Sequence, residues 1–185
     1  MPTKNELLEL AEEIKKCMEC PSPYEKMTNE KSTFFRDLFL EGPWFFPPKN
    51  SVKGFLGTGS VMFVADKPAA GKPFKSEKDP IQYFYNVLER YGFSNAHITD
   101  SIKCRGKVKE KICKEQFENC KKWLLKEIEL VNPELIVAVG KNAYSRLRTL
   151  KLSVPLKMVP HYGYIKYMKK EDRGKLEQKF KSLKD

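Results

Sequence analysis

Leu7, Leu10, Ala11 and Ile14 recur at helical spacing, so residues 5–16 predict one amphipathic helix ending near Cys17. Pro21 and Pro23 break the chain there. Residues 24–59 hold no clean period; STFFRDLFLEGPWFFPPKN is aromatic, then proline-rich, and predicts a short helix and an irregular loop packed on the domain. From Val61 the pattern sharpens. SVMFVADKP is a short apolar run closed by a turn, read as a buried strand. DPIQYFYNVLERYGF reads as a helix with Asp79 as N-cap, Pro80 at the first helical position and Gly92 as the stop. AHITDSIKC is a second strand, and KEQFENCKKWLLKEIELV a long helix with Phe117, Cys120, Leu124 and Ile128 along one face. PELIVAVG is a third strand, nearly all apolar, as expected when both faces are covered. KNAYSRLRTL is a helix, PLKMVPHYG a fourth strand running into a loop, and EDRGKLEQKFKSLK a charged closing helix.

This alternation of strand and helix predicts an α/β fold: a three-layer αβα sandwich around a central, mostly parallel four-stranded sheet. Function in such sheets gathers in loops after the carboxyl ends of strands, which here begin near Asp66, Asp100, Gly140 and His161. No repeat or linker divides the chain, so residues 1–185 read as a single domain.

Charge narrows the partners. Lys+Arg number 35 against 24 Asp+Glu, a net charge of +11. That excess favours a polyanion, nucleic acid before membrane surface, although a Lys-rich solvated surface gives the same number. No apolar run approaches the roughly 20 residues that span a bilayer. The charged N-terminus is not a signal peptide, so a cytoplasmic location is expected. No protein partner is implied.

Five cysteines carry the strongest candidate chemistry: Cys17, Cys20, Cys104, Cys113 and Cys120. An odd count in a reducing compartment fits disulfides poorly, and C-x2-C reads better as half of a metal or cluster site. Cys104 follows the second strand and Cys120 lies on the next helix, so both could meet Cys17 and Cys20. Four thiolates suit zinc or an iron–sulfur cluster; ordinary buried thiols are the plainer alternative for Cys104 or Cys120 alone. Cys113 is placed in a Lys-rich loop and left out. AAGK, Ala69 to Lys72, lacks Walker spacing and is no phosphate loop. Trp44, Phe45 and Phe46 could stack on an unpaired base, but packing over the sheet edge is the favoured reading.

C-x2-C near the N-terminus, then C-x15-C between Cys104 and Cys120, resembles the iron–sulfur (family 4-like) branch of the uracil-DNA glycosylase superfamily. VMFVADKPAAGKPF looks like that family's first-motif strand and loop with its G-R-P-F element. HITDSIKCRG looks like its I-T-N-x-x-K-C-R stretch, and VPHYGY lies where the family has His-Pro-Ser. CKKWLLKEIELVNPELIVAVGKNA looks like its C-x-x-x-L-x-x-E-I…P-x-x-I-x-x-L-G-x-x-A run. The likeness runs in order through residues 7–20 and 60–168, with residues 21–59 a family-atypical insertion.

The resemblance implies a structural [4Fe–4S] cluster on Cys17, Cys20, Cys104 and Cys120, with zinc as the alternative. It implies Phe74 as the ring that stacks on a flipped base and Asp100 as the reader of its Watson–Crick edge. His161 would donate to the departing base, and Asp66 would stand in the family's glutamate position. Lys103, Arg105 and Lys107 are expected to contact DNA phosphates, along with Lys109, Lys111 and Lys114. His97, which begins a strand, is read as structural. The function so implied is a monofunctional DNA repair glycosylase, nucleoid-associated when bound to DNA, acting on uracil-like or other deaminated or mismatched bases. The alternative is a weak or inactive iron–sulfur nucleic-acid-binding relative.

Four departures from the family pattern bear on this. Asp66 is one methylene shorter than glutamate. Asp100 replaces an asparagine that both donates and accepts, whereas an ionised aspartate only accepts. Tyr162-Gly163 replace Pro-Ser, and CRGKVKEKIC carries no Asn after its Arg.

Overall fold

Every neighbouring pair of strands in the sheet runs parallel. The strands are β1 (Val61–Ala65), β2 (His97–Asp100), β3 (Leu135–Val139) and β4 (Leu156–Val159), in the order β2-β1-β3-β4. The mostly parallel sheet expected is therefore wholly parallel. β1 and β3 lie side by side in the middle, with β2 beyond one and β4 beyond the other. The chain changes direction between β1 and β3, and such a switch point is where open α/β sheets leave a crevice. Ala65 pairs with Asp100, and Val139 with Val159, so four successive strands end at one edge.

The computed structural model describes residues 2–17, 19, 43–68, 74, 79–104, 110–167 and 170–183. Cys20, Arg105, Lys107 and residues 24–42 of the stretch expected to hold a short helix and an irregular loop lie outside them; residues 43–59 are irregular, with a 3-10 turn at Gly54–Leu56. The helices are α1 (Lys4–Lys15), α2 (Pro80–Arg90), α3 (Glu110–Val131), α4 (Lys141–Thr149) and α5 (Lys170–Lys181). α2 starts as its sequence dictates: the Asp79 side chain accepts from the Ile81 N–H, Pro80 opens the helix, and Gly92 follows with φ 74°. α1 carries a capping box, Thr3 with Glu6, that satisfies two N-terminal donors at once.

The sheet divides two cores. On one face Phe63, Ile98, Val137 and Val139 pack with Phe84 and Leu88 of α2 and Leu176 and Phe180 of α5. On the other, Met62, Val64, Ile136 and Ala138 pack with Phe117, Leu124 and Ile128 of α3 and Ala143 and Leu147 of α4. This is the three-layer sandwich. α1 docks on a satellite core, Leu7 and Ala11 against Phe55 and Val131. Leu7 and Ile14 are fully buried, each contributing about 1.5–3 kcal/mol.

One reading changes and one is borne out. α3 begins at Glu110, so Cys113 belongs to a helix rather than a loop. Among the aromatics before Pro47, Phe46 is 1% exposed in the core, with Trp44 edge-on to it at 4.9 Å. Packing is their observed state. No helix among the described residues is long and apolar enough to cross a membrane.

Candidate active site at the carboxyl edge of the sheet

A cleft of about 930 Å³ opens where β1, β3 and β4 end. Asp66 borders it from the first of these strands, Gly140 to Asn142 from the second and His161 from the third. Asp66 and His161, both expected at strand ends, thus line one surface. Gly140 is required for this approach: its φ is +96°, and a Cβ there would sit 2.8 Å from the Cβ of His161.

His161 is partly buried, and burial lowers its pKa below the ordinary 6.5. Its Nδ1 accepts the Gly163 N–H at 3.0 Å. A ring that accepts at Nδ1 carries its single proton at Nε2, so the neutral imidazole is a donor through Nε2–H.

The Asp66 carboxylate is paired with the Arg146 guanidinium, and its Oδ2 also accepts from Asn142 at 3.2 Å. Arg146 donates further to Ser101 Oγ at 3.3 Å, while the hydroxyl of Ser101 donates to the Asp66 carbonyl at 2.6 Å. Burial lowers the Arg146 pKa from its usual value. A carboxylate so held is a fixed negative charge rather than a strong proton acceptor. Sequence reading missed Arg146, Asn142 and Ser101. Ser101 and Asn142 lay in stretches already matched to the family; Arg146 follows β3 by the same rule that marks Asp66.

Asp100 ends β2 and is 2% exposed, and neither carboxyl oxygen has a hydrogen-bond partner. Burial chiefly raises its pKa, to about 8, with Lys103 opposing and Glu127 adding to the rise. It is thus a neutral acid at pH 7. Asp100 does not border the cleft described above. Phe74 takes a left-handed backbone, φ 60°, uncommon for a bulky residue. Its ring stands edge-on to Tyr85 at 4.9 Å, with Lys49 Nζ 4.3 Å from its centre.

Lys103 corrects an expectation. It is 1% exposed, and Nζ donates to Thr99 Oγ1 at 2.7 Å, the Asp100 carbonyl at 2.6 Å and Glu127 Oε2 at 2.9 Å. Buried beneath the sheet edge and paired with Glu127, it presents nothing to a phosphate. Glu127, fully buried, is also 3.6 Å from His97 Nε2. Burial pulls its pKa up, but Lys103 and His97 together outweigh that and leave it lowered. His97 is accordingly structural. Lys114 is exposed on α3.

The thiols are only partly placed. Glu19 grips α3 by its carbonyl, which accepts from Asn119 at 3.1 Å, and by its carboxylate, 2.5 Å from Lys122. The Lys122 ammonium is held protonated chiefly by its hydrogen bond to Glu19. Cys17 follows α1, which packs on α3, the helix that carries Cys120. Cys104 pairs with Pro43 as a β-bridge. Among the described residues no group of three or more His, Cys, Asp or Glu forms a metal site, and Cys20 is not among them. The donors suit a soft metal or cluster.

Comparison with known proteins agrees with this layout. The model of the Uracil DNA glycosylase superfamily matches residues 56–182, well over half of the chain. A type-4 uracil-DNA glycosylase of Thermotoga maritima is 27% identical over 157 residues, 78% of this chain and 68% of that protein. On the extent of that match, the chain belongs to the uracil-DNA glycosylase superfamily and is similar to its family-4 members.

Proposed function

We propose that this protein is a monofunctional DNA glycosylase that hydrolyses the N-glycosidic bond of a uracil-like, deaminated or mismatched base. The observation that carries this is the pairing across one cleft of a neutral histidine donor, His161, with a fixed carboxylate, Asp66. A base must leave its stack before an enzyme can act on it. Phe74 would stack on the extruded base and Asp100 would meet its Watson–Crick edge. As a neutral acid Asp100 can donate and accept, which is what uracil's O4 and N3–H require.

The step itself breaks the C1′–N bond, and the electron pair leaves on the base. His161 Nε2–H faces the carbonyl oxygen that becomes negative; one such donor is worth about 2.7–4 kcal/mol in the transition state of other enzymes. The negative charge of Asp66 would steady the cationic sugar and orient the water whose oxygen bonds to C1′. The water's second proton leaves to solvent, since Arg146 makes Asp66 a weak base. The base anion takes up a proton from solvent, so free base and an abasic sugar result. Arg105 and Lys107 would hold the phosphates beside the site.

Cys17, Cys20, Cys104 and Cys120 would hold a [4Fe–4S] cluster. Its contribution would be a covalent staple between α1, α3 and the loop after β2, without redox turnover. Zinc on the same thiols is the alternative.

A second reading, a DNA-binding relative that releases no base, is favoured by one observation: the Asp100 carboxyl is sealed and does not open on the cleft. Oligonucleotides carrying uracil, hypoxanthine, xanthine or a mismatch decide between them. Release of any of these bases, slowed about 10²–10³-fold by His161→Ala, supports the enzyme; binding of DNA without release from any supports the relative.

A further inference from the structure

One helix holds Asp66 at both of its carboxylate oxygens. Asn142 is the second residue of α4, and Arg146 follows it at i+4 spacing, so both side chains leave the same face. Ala143 and Leu147, buried against the sheet, pin that helix in place. Arg146 takes Asp66 Oδ1, which is buried. Asn142 donates from Nδ2 to Asp66 Oδ2 at 3.2 Å, and Asn142 is itself exposed and borders the cleft.

This division sets two acceptors side by side. A carboxylate oxygen accepts more than one hydrogen bond, so Asp66 Oδ2 can take a second donor beside Asn142. An amide that donates through Nδ2 keeps its own acceptor, Oδ1, for another partner. A water lodged between Asp66 Oδ2 and Asn142 Oδ1 donates one hydrogen to each. Its lone pair is then turned away from both, into the cleft that the two residues share. A single acceptor would hold the same water by one hydrogen and leave it free to turn.

We propose that Asn142 is a further catalytic residue, the second anchor of the water that attacks C1′. This rests on the glycosylase reading for the reaction and for the part of Asp66 in it. The C1′–N bond breaks with its electron pair on the base, and the water oxygen bonds to C1′. The proton that this oxygen then sheds goes to solvent, which reaches Asn142. Asp66 cannot fix the water alone, because Arg146 occupies its other oxygen. The L-G-x-x-A run leaves the position of Asn142 open, so the role belongs to this chain's own side chain.

The test is the choice of nucleophile. The full-length protein acts on oligonucleotides carrying uracil, hypoxanthine, xanthine or a mismatch in water containing methanol, and the product is divided into abasic sugar and methyl glycoside. Methanol has one O–H and satisfies only one of two acceptors. Wild type should therefore form less methyl glycoside than methanol's share of the solvent. Asn142→Leu keeps the bulk and removes the acceptor; its methyl glycoside fraction is expected to rise about three- to tenfold, the scale of one hydrogen bond. Asn142→Asp keeps an acceptor oxygen and should partition as wild type does. The ratio reports which nucleophile captures the sugar, even where capture does not limit the rate. An unchanged ratio in folded Asn142→Leu overturns the proposal, as does an equal rise in Asn142→Asp. Should the leucine variant fail to fold, Asn142→Ala is read by the same criteria. A wild type that releases no base overturns the glycosylase reading and this role with it, whereas release with an unmoved ratio overturns the role alone.

Discussion

The main-chain N–H of Gly163 donates to Nδ1 of His161 at 3.0 Å, and this single bond sets which end of the imidazole faces the cleft. The proton lies on Nε2, and burial keeps the ring neutral below its ordinary value of 6.5. Nitrogen NMR is expected to show the Nε2-protonated neutral form at pH 7 and still at pH values somewhat below 6.5. Because the unfolded chain takes up that proton first, this site lowers stability as pH falls below 6.5 and leaves it unaffected above. His161→Ala should slow base release by about 10²–10³-fold, the usual effect of losing one such donor. A cationic ring at pH 7 would refute the assignment.

Arg146 holds Asp66. Arg146→Met, which keeps the alkyl body and removes the charge, leaves a mostly buried carboxylate without its counter-ion. Stability should fall by about 1–3 kcal/mol in urea unfolding. In base release kcat should drop while KM holds, since the guanidinium orients a charge used in the transition state and binds no part of the base. Equal loss in kcat with Asp66 removed as well would show that the two act as one unit.

Asp100 couples stability to pH in the opposite sense to His161. Its carboxyl stays protonated in the fold up to about pH 8, whereas the unfolded chain releases that proton near 3.8. Stability contributed by this group is full below 3.8 and is lost as pH rises toward 8. Asp100→Asn keeps the shape and removes the titration. It should be more stable than wild type at pH 8 by about 1–3 kcal/mol, with the difference vanishing at pH 4. Wild-type uracil release should decline above pH 8, and that of Asp100→Asn should not. Parallel stability curves for the two proteins across this range would mean that Asp100 is ionised.

The thiols make a sorting prediction. Replacing Cys17, Cys20, Cys104 or Cys120 by serine should abolish a visible iron–sulfur absorbance in anaerobically purified protein. Cys113→Ser should retain it. Protein that is colourless but contains stoichiometric zinc would choose the alternative metal.

Glu127→Gln isolates the buried ammonium of Lys103. Loss of about 3–5 kcal/mol is expected, the usual result of leaving one charge of a buried pair alone. Glu127→Gln with Lys103→Met should recover much of it, as measured by thermal unfolding.

The strands and their helices were legible because their signals are local. VMFVA and LIVAV are apolar throughout, as central parallel strands must be, and Asp79-Pro80 announces a helix start in two residues. The site residues at strand ends followed from topology, which is why Asp66 and His161 fell on one cleft. Lys103 was misread because its partner is 24 positions away on α3. A lysine in a run of lysines looks solvated until the face opposite is known. Cys113 had a signal that went unused: with Phe117 and Cys120 it continues the helical spacing of α3 toward its start. Arg146 pairs across 80 positions, and Tyr162 looked like a loop residue because only tertiary packing turns its ring inward. Residue type gives chemistry, but burial decides which chemistry is exposed.

The all-parallel order also governs how the chain must assemble. Parallel neighbours cannot be joined by a tight hairpin, so no strand of this sheet finds its partner before an intervening crossover has been made. β1 must wait for β2 on one side, and for β3, whose first residue Leu135 pairs with Val61, on the other. During synthesis β1 would therefore emerge long before its second neighbour, an apolar ribbon with an unclaimed edge. Nascent-chain stalling before residue 135 should yield an aggregation-prone species, and release beyond β3 a protected one.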